Sequence, residues 1–229
     1  MIDRDLIDAV RAELGARANA SKADGMRAYM KSEMPYLGVQ TAGMGEVARE
    51  VFPRHPLATF EAWRDTIVAL WSEAQFREER YAALGLVGWR AYRPFRTSLV
   101  ALPLFEQLIV DGAWWDLVDG LATHEIGELL RRFPDPMRAT LLAWSKGADP
   151  WLRRTSIICQ VSFKGATDRQ LLYAYIEPSI GERGFFLRKA IGWALRELAK
   201  AAPDEVRQYV AEHETRLSGL SRREALKHF

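Results

Sequence analysis

The residues of this chain best suited to chemistry crowd into Trp114–Asp119, Trp-Trp-Asp-Leu-Val-Asp, where two indoles and two carboxylates share six positions. Successive helical residues turn by ~100°, so Trp115 and Asp119 fall ~40° apart on one face. Asp116 points elsewhere, and Trp114, Leu117, Val118 and Leu121 can form a buried stripe. A broad π surface beside an anion suits a developing cation. The same spacing also describes a plain helix with one core Trp, one surface Trp and two solvated Asp. Helix propensity disfavours a mid-helix Asp by roughly a few tenths of a kcal/mol, and that misfit is the hint of function the residue carries alone.

Other familiar chemistries lack their residues. His55, His124, His213 and His228 are scattered without an HExxH or HxE pairing. The single cysteine, Cys159, cannot build a Cys-rich zinc site or an internal disulfide framework. No Gly-x-x-x-x-Gly-Lys-Ser/Thr loop or GxSxG elbow occurs. Gly43-Met-Gly45-Glu-Val-Ala48 matches GxGxxA, but no strand precedes it, so it reads as a helix start. Neither a metal nor a cofactor is expected. What remains is carboxylates, aromatics and arginine.

With 229 residues, 48% hydrophobic and 27% charged, the chain has the composition of an ordinary globular protein able to bury a sizeable core. No apolar run approaches the ~20 residues that span a bilayer, and the charged start Met-Ile-Asp-Arg-Asp-Leu lacks an apolar core segment. These features and the lone cysteine point to a cytoplasmic protein with no membrane partner. The net charge of +2 permits a local basic face without demanding one. The choice of 25 Arg against 7 Lys favours the planar fork that matches phosphate, or reflects a GC-rich genome.

The elements that must position Trp115 and Asp119 read as helices throughout. Apolar spacing and breaks predict helices over 2–18, 22–34, 44–53, 59–75, 77–91 and 97–110, with Pro103 a discordant residue inside the last. Asp111-Gly112 reads as a break and N-cap before the central helix, which is expected to stop near Thr123. Further helices are expected at 125–132, 137–146, 150–163, 168–179, 185–201, 203–217 and 221–228. No stretch alternates with period two, so no sheet is expected. Three stretches look alike: RYAALGLVGWRAY from Arg80, RTSIICQVSFKG from Arg154 and RKAIGWALRELAK from Arg188, beginning 74 and then 34 residues apart. A period near 34–40 fits HEAT-like or armadillo-like helical pairs, hence an all-α, curved α-solenoid in which 1–229 forms a single repeat domain. Inner helices of such an array would bring Trp115, Asp119, Arg154 and Trp193 to one cleft.

The central motif, together with YMKSEMPYLGV at 29–39, WLRRTSI at 151–157, FFLRKAIGWALRELAK at 185–200 and LSRREALKHF at 220–229, resembles the AlkD-like DNA glycosylases of the DNA alkylation repair family. The likeness runs from about residue 25 to the end, in motif order and in gap length. It implies a HEAT-like array that hydrolyses the N-glycosidic bond of cationic alkylated purines, 7-methylguanine and 3-methyladenine, in double-stranded DNA during base excision repair. Carried over residue by residue, the catalytic aspartate falls on Asp119, the cleft tryptophans on Trp115 and Trp193, and the cleft arginine on Arg154 rather than Arg153. Tyr29 is a weaker match to the cleft lining. Lys164, Arg188 and Lys189 join Arg154 in an expected basic stripe along phosphates. A cationic purine leaves without much acid help, so one carboxylate can suffice, and the absence of lysine from the central motif argues against Schiff-base chemistry. A monomer acting without cofactor is expected. The alternative is a non-catalytic HEAT-like module that binds branched or damaged DNA; a third possibility is a protein-binding scaffold.

Overall fold

The structure is a computed structural model and describes residues 1–227. No strand occurs among the described residues, as the missing period-two pattern predicts. The chain divides into two compact units, Met1–Arg96 and Thr97–Phe229.

The first unit holds α1 (Arg4–Ala16), α2 (Ala20–Met30), α3 (Thr41–Val51), α4 (Phe60–Ser72), α5 (Arg77–Gly88) and the single turn α6 (Arg93–Arg96). Helix α1 shows the logic of its sequence. Asp3 caps it by accepting the Leu6 N–H, and Leu6, Ile7, Val10 and Leu14, spaced i, i+1, i+4, i+8, form one fully buried stripe. Each such side chain contributes ~1.5–3 kcal/mol when removed from water. Trp63, Ile67, Leu70 and Trp71 of α4 complete this core against α5. Helix α2 departs from expectation. Of Met26, Tyr29, Met30 and Met34, only Met30 is buried, and the helix ends at Lys31 in the left-handed region rather than at Pro35.

The second unit holds α7 (Leu102–Gly112), α8 (Trp115–Gly120), a π-helical stretch (Leu121–Ile126), α9 (Gly127–Arg132), α10 (Pro134–Lys146), α11 (Pro150–Ile158), α12 (Arg169–Ile176), α13 (Phe185–Ala199), α14 (Pro203–Glu212) and α15 (Gly219–Ala225). Pro103 proves compatible with α7 because it sits in the first turn, where its missing N–H costs nothing. Asp111 and Gly112 are the last turn of that helix, not a break before the next. The break is Ala113, left-handed at φ 40°, and Trp114 is the extended N-cap of α8. No helix boundary falls at Thr123. Residues 115–132 run on with helical dihedrals at both ends of the π-helical stretch, so the two expected helices are one rod. Pro134 opens α10 at its first turn, earlier than the expected 137. The expected 221–228 helix is α15, shifted to 219–225; residues 228 and 229, including His228, lie outside the described residues.

Neighbouring helices pack in succession: α7 and α10 on α11, α11 on α13, α13 on α15. The tightest joint is α13 on α15. A Cβ at Gly192 would lie 2.4 Å from the Glu224 Cβ and 2.9 Å from the Ser221 carbonyl, so glycine is what lets the two backbones meet. The three repeated stretches fall on α5, α11 and α13, inside the helical-repeat architecture they suggested.

Candidate active site

Asp119 stands on the last turn of α8, one turn after Trp115, with Leu117 and Val118 fully buried on the opposite side of the rod. Arg154 comes from α11, which Asp149 caps by accepting the N–H groups of Trp151 and Leu152. The guanidinium meets Asp119 as a two-pronged fork: Nε donates to Oδ1 at 2.7 Å and Nη2 to Oδ2 at 2.7 Å. Planar bidentate pairing of this kind fixes angle as well as distance. Nη1 donates to the Phe186 carbonyl at 2.6 Å, in the first turn of α13. The Arg154 side chain is 6% exposed and that of Asp119 is 20% exposed, so the carboxylate is the member of the pair open to solvent.

Aromatic packing holds the far end of this arrangement. Phe186 sits edge-on to Trp114 with centroids 5.0 Å apart and tilted against Trp151 at 5.0 Å. Trp114 therefore belongs to a ring cluster rather than to a helical stripe, and its buried indole N–H has no acceptor. Thr123 donates its hydroxyl to the Asp119 carbonyl at 2.8 Å, tying the π-helical stretch to the turn that carries the carboxylate. Gly127, at the end of that stretch, permits close approach to α11: a Cβ there would lie 2.6 Å from the Cys159 carbonyl. The Cys159 thiol is fully buried, and burial pushes its pKa up to about 12.

Of the residues singled out from sequence, the structure joins Asp119 and Arg154 directly and sets Trp115 half-buried one turn away. Trp193 is half-buried two turns beyond Phe186 on the same face of α13. Arg153 turns to Ser179, Glu182 and the Pro178 carbonyl, which separates it from its neighbour. The expected basic stripe is partly spent inside the protein. Arg154 is committed to Asp119, and Lys189 donates to Glu224 at 2.9 Å, beside Arg196 on the same carboxylate. Lys189 and then Arg196 hold the Glu224 carboxyl below its ordinary range by hydrogen bonding. Lys164 is exposed, and Arg188 is half-buried with an Nε–H lacking an acceptor. Tyr29 belongs to the first unit and is 77% exposed. Sequence reasoning missed Phe186, whose contribution is a backbone carbonyl, and Thr123, an ordinary threonine until the π-helical turn is seen.

Among the described residues no cluster of three His, Cys, Asp or Glu is placed to hold a metal, and no helix is long and apolar enough to cross a membrane. The fold is that of an all-α helical-repeat protein. Residues 10–229 match the model of the DNA alkylation repair enzyme family, and the chain belongs to that family. It is similar to the solved structure of a predicted DNA alkylation repair enzyme from Enterococcus faecalis, with 26% identity, a TM-score of 0.82, and 93% of this chain and 97% of that chain covered. No curated protein sequence matches the chain.

Proposed function

We propose that the protein is a monofunctional DNA glycosylase that hydrolyses the N-glycosidic bond of cationic alkylated purines, 7-methylguanine and 3-methyladenine, in duplex DNA. Family membership supports a DNA repair role, and one observation carries the chemistry: a carboxylate held by a buried two-pronged arginine yet open to solvent on its outer side. The alkylated purine already carries positive charge, so the bond breaks with its electron pair going to the base. The sugar left behind is oxocarbenium-like. Asp119 stabilises that charge and orients a water whose oxygen bonds to the anomeric carbon while its proton is lost to the carboxylate or solvent. The indoles of Trp115 and Trp193 offer π faces to the cation, ~0.5–2 kcal/mol each. Arg154 acts in this scheme by aiming Asp119, and a phosphate can approach it only at the N–H groups left over on Nη1 and Nη2. Lys164, Arg188, Lys189 and Tyr29 contribute to DNA binding. The protein works as a monomer in the cytoplasm, with residues 1–229 as one repeat domain and no cofactor.

The test is release of free 7-methylguanine from methylated duplex DNA by purified protein. Asp119→Asn lowers excision by ~10²–10³-fold, the scale of losing one preorganised electrostatic group. Asp116→Asn, on another face, leaves excision nearly unchanged. Engagement of both Asp119 oxygens by Arg154 favours a second reading, in which the pair is a structural brace of a non-catalytic module for branched or damaged DNA. Absence of excision by wild-type protein that still binds such DNA would select it.

A further inference from the structure

Helices α14 and α15 pack on α13 and on each other, and between them they leave an open groove of about 760 Å³. We infer that this groove docks an amphipathic helix of a partner protein, one whose apolar ridge is flanked by carboxylates.

The first observation is shape. One wall of the groove is Arg207, Val210, Ala211 and Glu214, and the other is Gly219, Arg222, Arg223 and Leu226. Each set runs i, i+3, i+4, i+7, so each is a helical stripe. Two such stripes side by side form the seat into which a further helix packs, ridge into groove. The α15 stripe lies half a turn around its helix from Ser221 and Glu224. Those two residues face α13: the Ser221 hydroxyl donates to the Arg188 carbonyl at 3.0 Å, and Glu224 accepts from Lys189 and Arg196. The groove therefore opens on the side of α15 turned away from α13.

The second observation is the floor. An outer face of a helical repeat left to water is ordinarily polar. Here Val210 is buried, Leu226 is half-buried, and Ala211 and Gly219 leave room beside them. A Cβ at Gly219 would meet only the flexible end of Arg223, at 3.5 Å, so the fold makes no demand for glycine there. At Gly192 glycine admits α15 to α13, and the bare backbone at Gly219 offers an incoming helix the same close approach.

The third observation is charge, and it selects the occupant. Three guanidiniums rim the groove against the one carboxylate of Glu214, which Arg222 already engages at 2.5 Å. Arg207 offsets Asp204 at 2.8 Å, and the exposed Arg223 meets no carboxylate among the described residues. A second copy of this chain would bring the same arginines to the same place, so two-fold pairing through the groove is repulsive. Duplex DNA would satisfy the rim but has no apolar ridge for Val210 and Leu226. Glutamate or aspartate beside an apolar stripe satisfies both, in the helix-in-groove mode of recognition.

The inference is independent of glycosylase chemistry. It is tested with the full chain as bait for a displayed library of peptides of about 18 residues, long enough to hold a helix. Every member carries leucine at i, i+3, i+4 and i+7, and the flanking positions are randomised among Glu, Gln and Lys. Selection should enrich Glu on both flanks. The enriched peptide, labelled with fluorescein, should bind the wild type at least about tenfold more tightly than Arg223→Glu or Ala211→Lys. Both sites are exposed, so the two variants should melt with the wild type. Ala211→Lys separates the seat from diffuse attraction, because it blocks the floor while adding positive charge. Enrichment of Gln or Lys, the absence of any binder, or undiminished binding to Ala211→Lys overturns the inference. So does displacement of the peptide by an unmethylated duplex, which assigns the rim to phosphates. A dimer in sedimentation that Ala211→Lys dissolves assigns the groove to a second copy and overturns it equally.

Discussion

Breaking the Asp119–Arg154 pair one side at a time should destabilise the protein more than removing it whole. The two charge centres lie about 4 Å apart, worth about 4 kcal/mol at an effective dielectric of ~20 before desolvation is subtracted. Asp119→Asn removes the anion but leaves a guanidinium that is only 6% exposed, and points the new amide N–H groups at its donors. The cost of such a stranded buried charge is ~3–5 kcal/mol. Arg154→Met leaves a carboxylate that water reaches, and a Phe186 carbonyl that keeps its helical N–H partner, so it should cost less, about 1–2 kcal/mol. The double variant strands neither charge, so it should fall short of the sum by about 2–3 kcal/mol. Urea unfolding followed by tryptophan emission measures all four corners. Additivity to within ~0.5 kcal/mol would refute the claim that the fork is an energetic unit rather than a geometric coincidence. For excision, Arg154→Met should cost roughly tenfold or more through a carboxylate free to rotate, although its negative charge is intact.

The remaining expectations concern charge, pH and packing. DNA affinity should fall as salt rises, and Lys164→Ala should reduce the log–log slope by ~0.9, whereas Lys189→Ala should reduce it less because Glu224 already offsets that charge. Glu224 has a folded pKa below its unfolded value, so its contribution is complete above the ordinary carboxylate range and is lost as pH falls through the depressed value. Melting of the wild type should therefore drop at acid pH more steeply than melting of Glu224→Gln. Gly127→Ala should cost about 1–3 kcal/mol in urea unfolding, since a backbone oxygen must move to admit the methyl. Cys159 should resist alkylation at pH 8 in the folded protein and react once it unfolds, because its thiol is both buried and raised to about 12.

Much of the helical order was legible because burial imposes a 3.6-residue period that the sequence must obey. Leu6, Ile7, Val10 and Leu14 announce α1, and the matching stretches at Arg80, Arg154 and Arg188 announce repeated packing. The boundaries that failed are those set by backbone rather than by side chains. Ala113 takes a left-handed turn without the glycine that normally marks one, so the break was placed one step early at Asp111-Gly112. A single π-helical turn shifts the register of the apolar positions, so 115–132 looked like two helices. Helix α2 misled in the other direction: its Met and Tyr residues have core spacing but line an open cavity. At the site, residue type and spacing pointed to Asp119 and Arg154, but 35 positions separate them and only the packing of α11 beside α8 reveals that they bond to each other.

A π-helical turn is an α-helix that has swallowed one residue. At Leu121–Ile126 the Gly127 N–H reaches back five residues to the Ala122 carbonyl instead of four. Excising one residue from this stretch would restore plain α geometry and swing everything before it by ~100° against everything after it. Gly127 would still be pinned against the Cys159 carbonyl, so Trp115 and Asp119 would be the residues that turn, away from Arg154. The aim of the carboxylate thus depends on the parity of a short insertion, and the chain can carry it only as one whole residue or not at all.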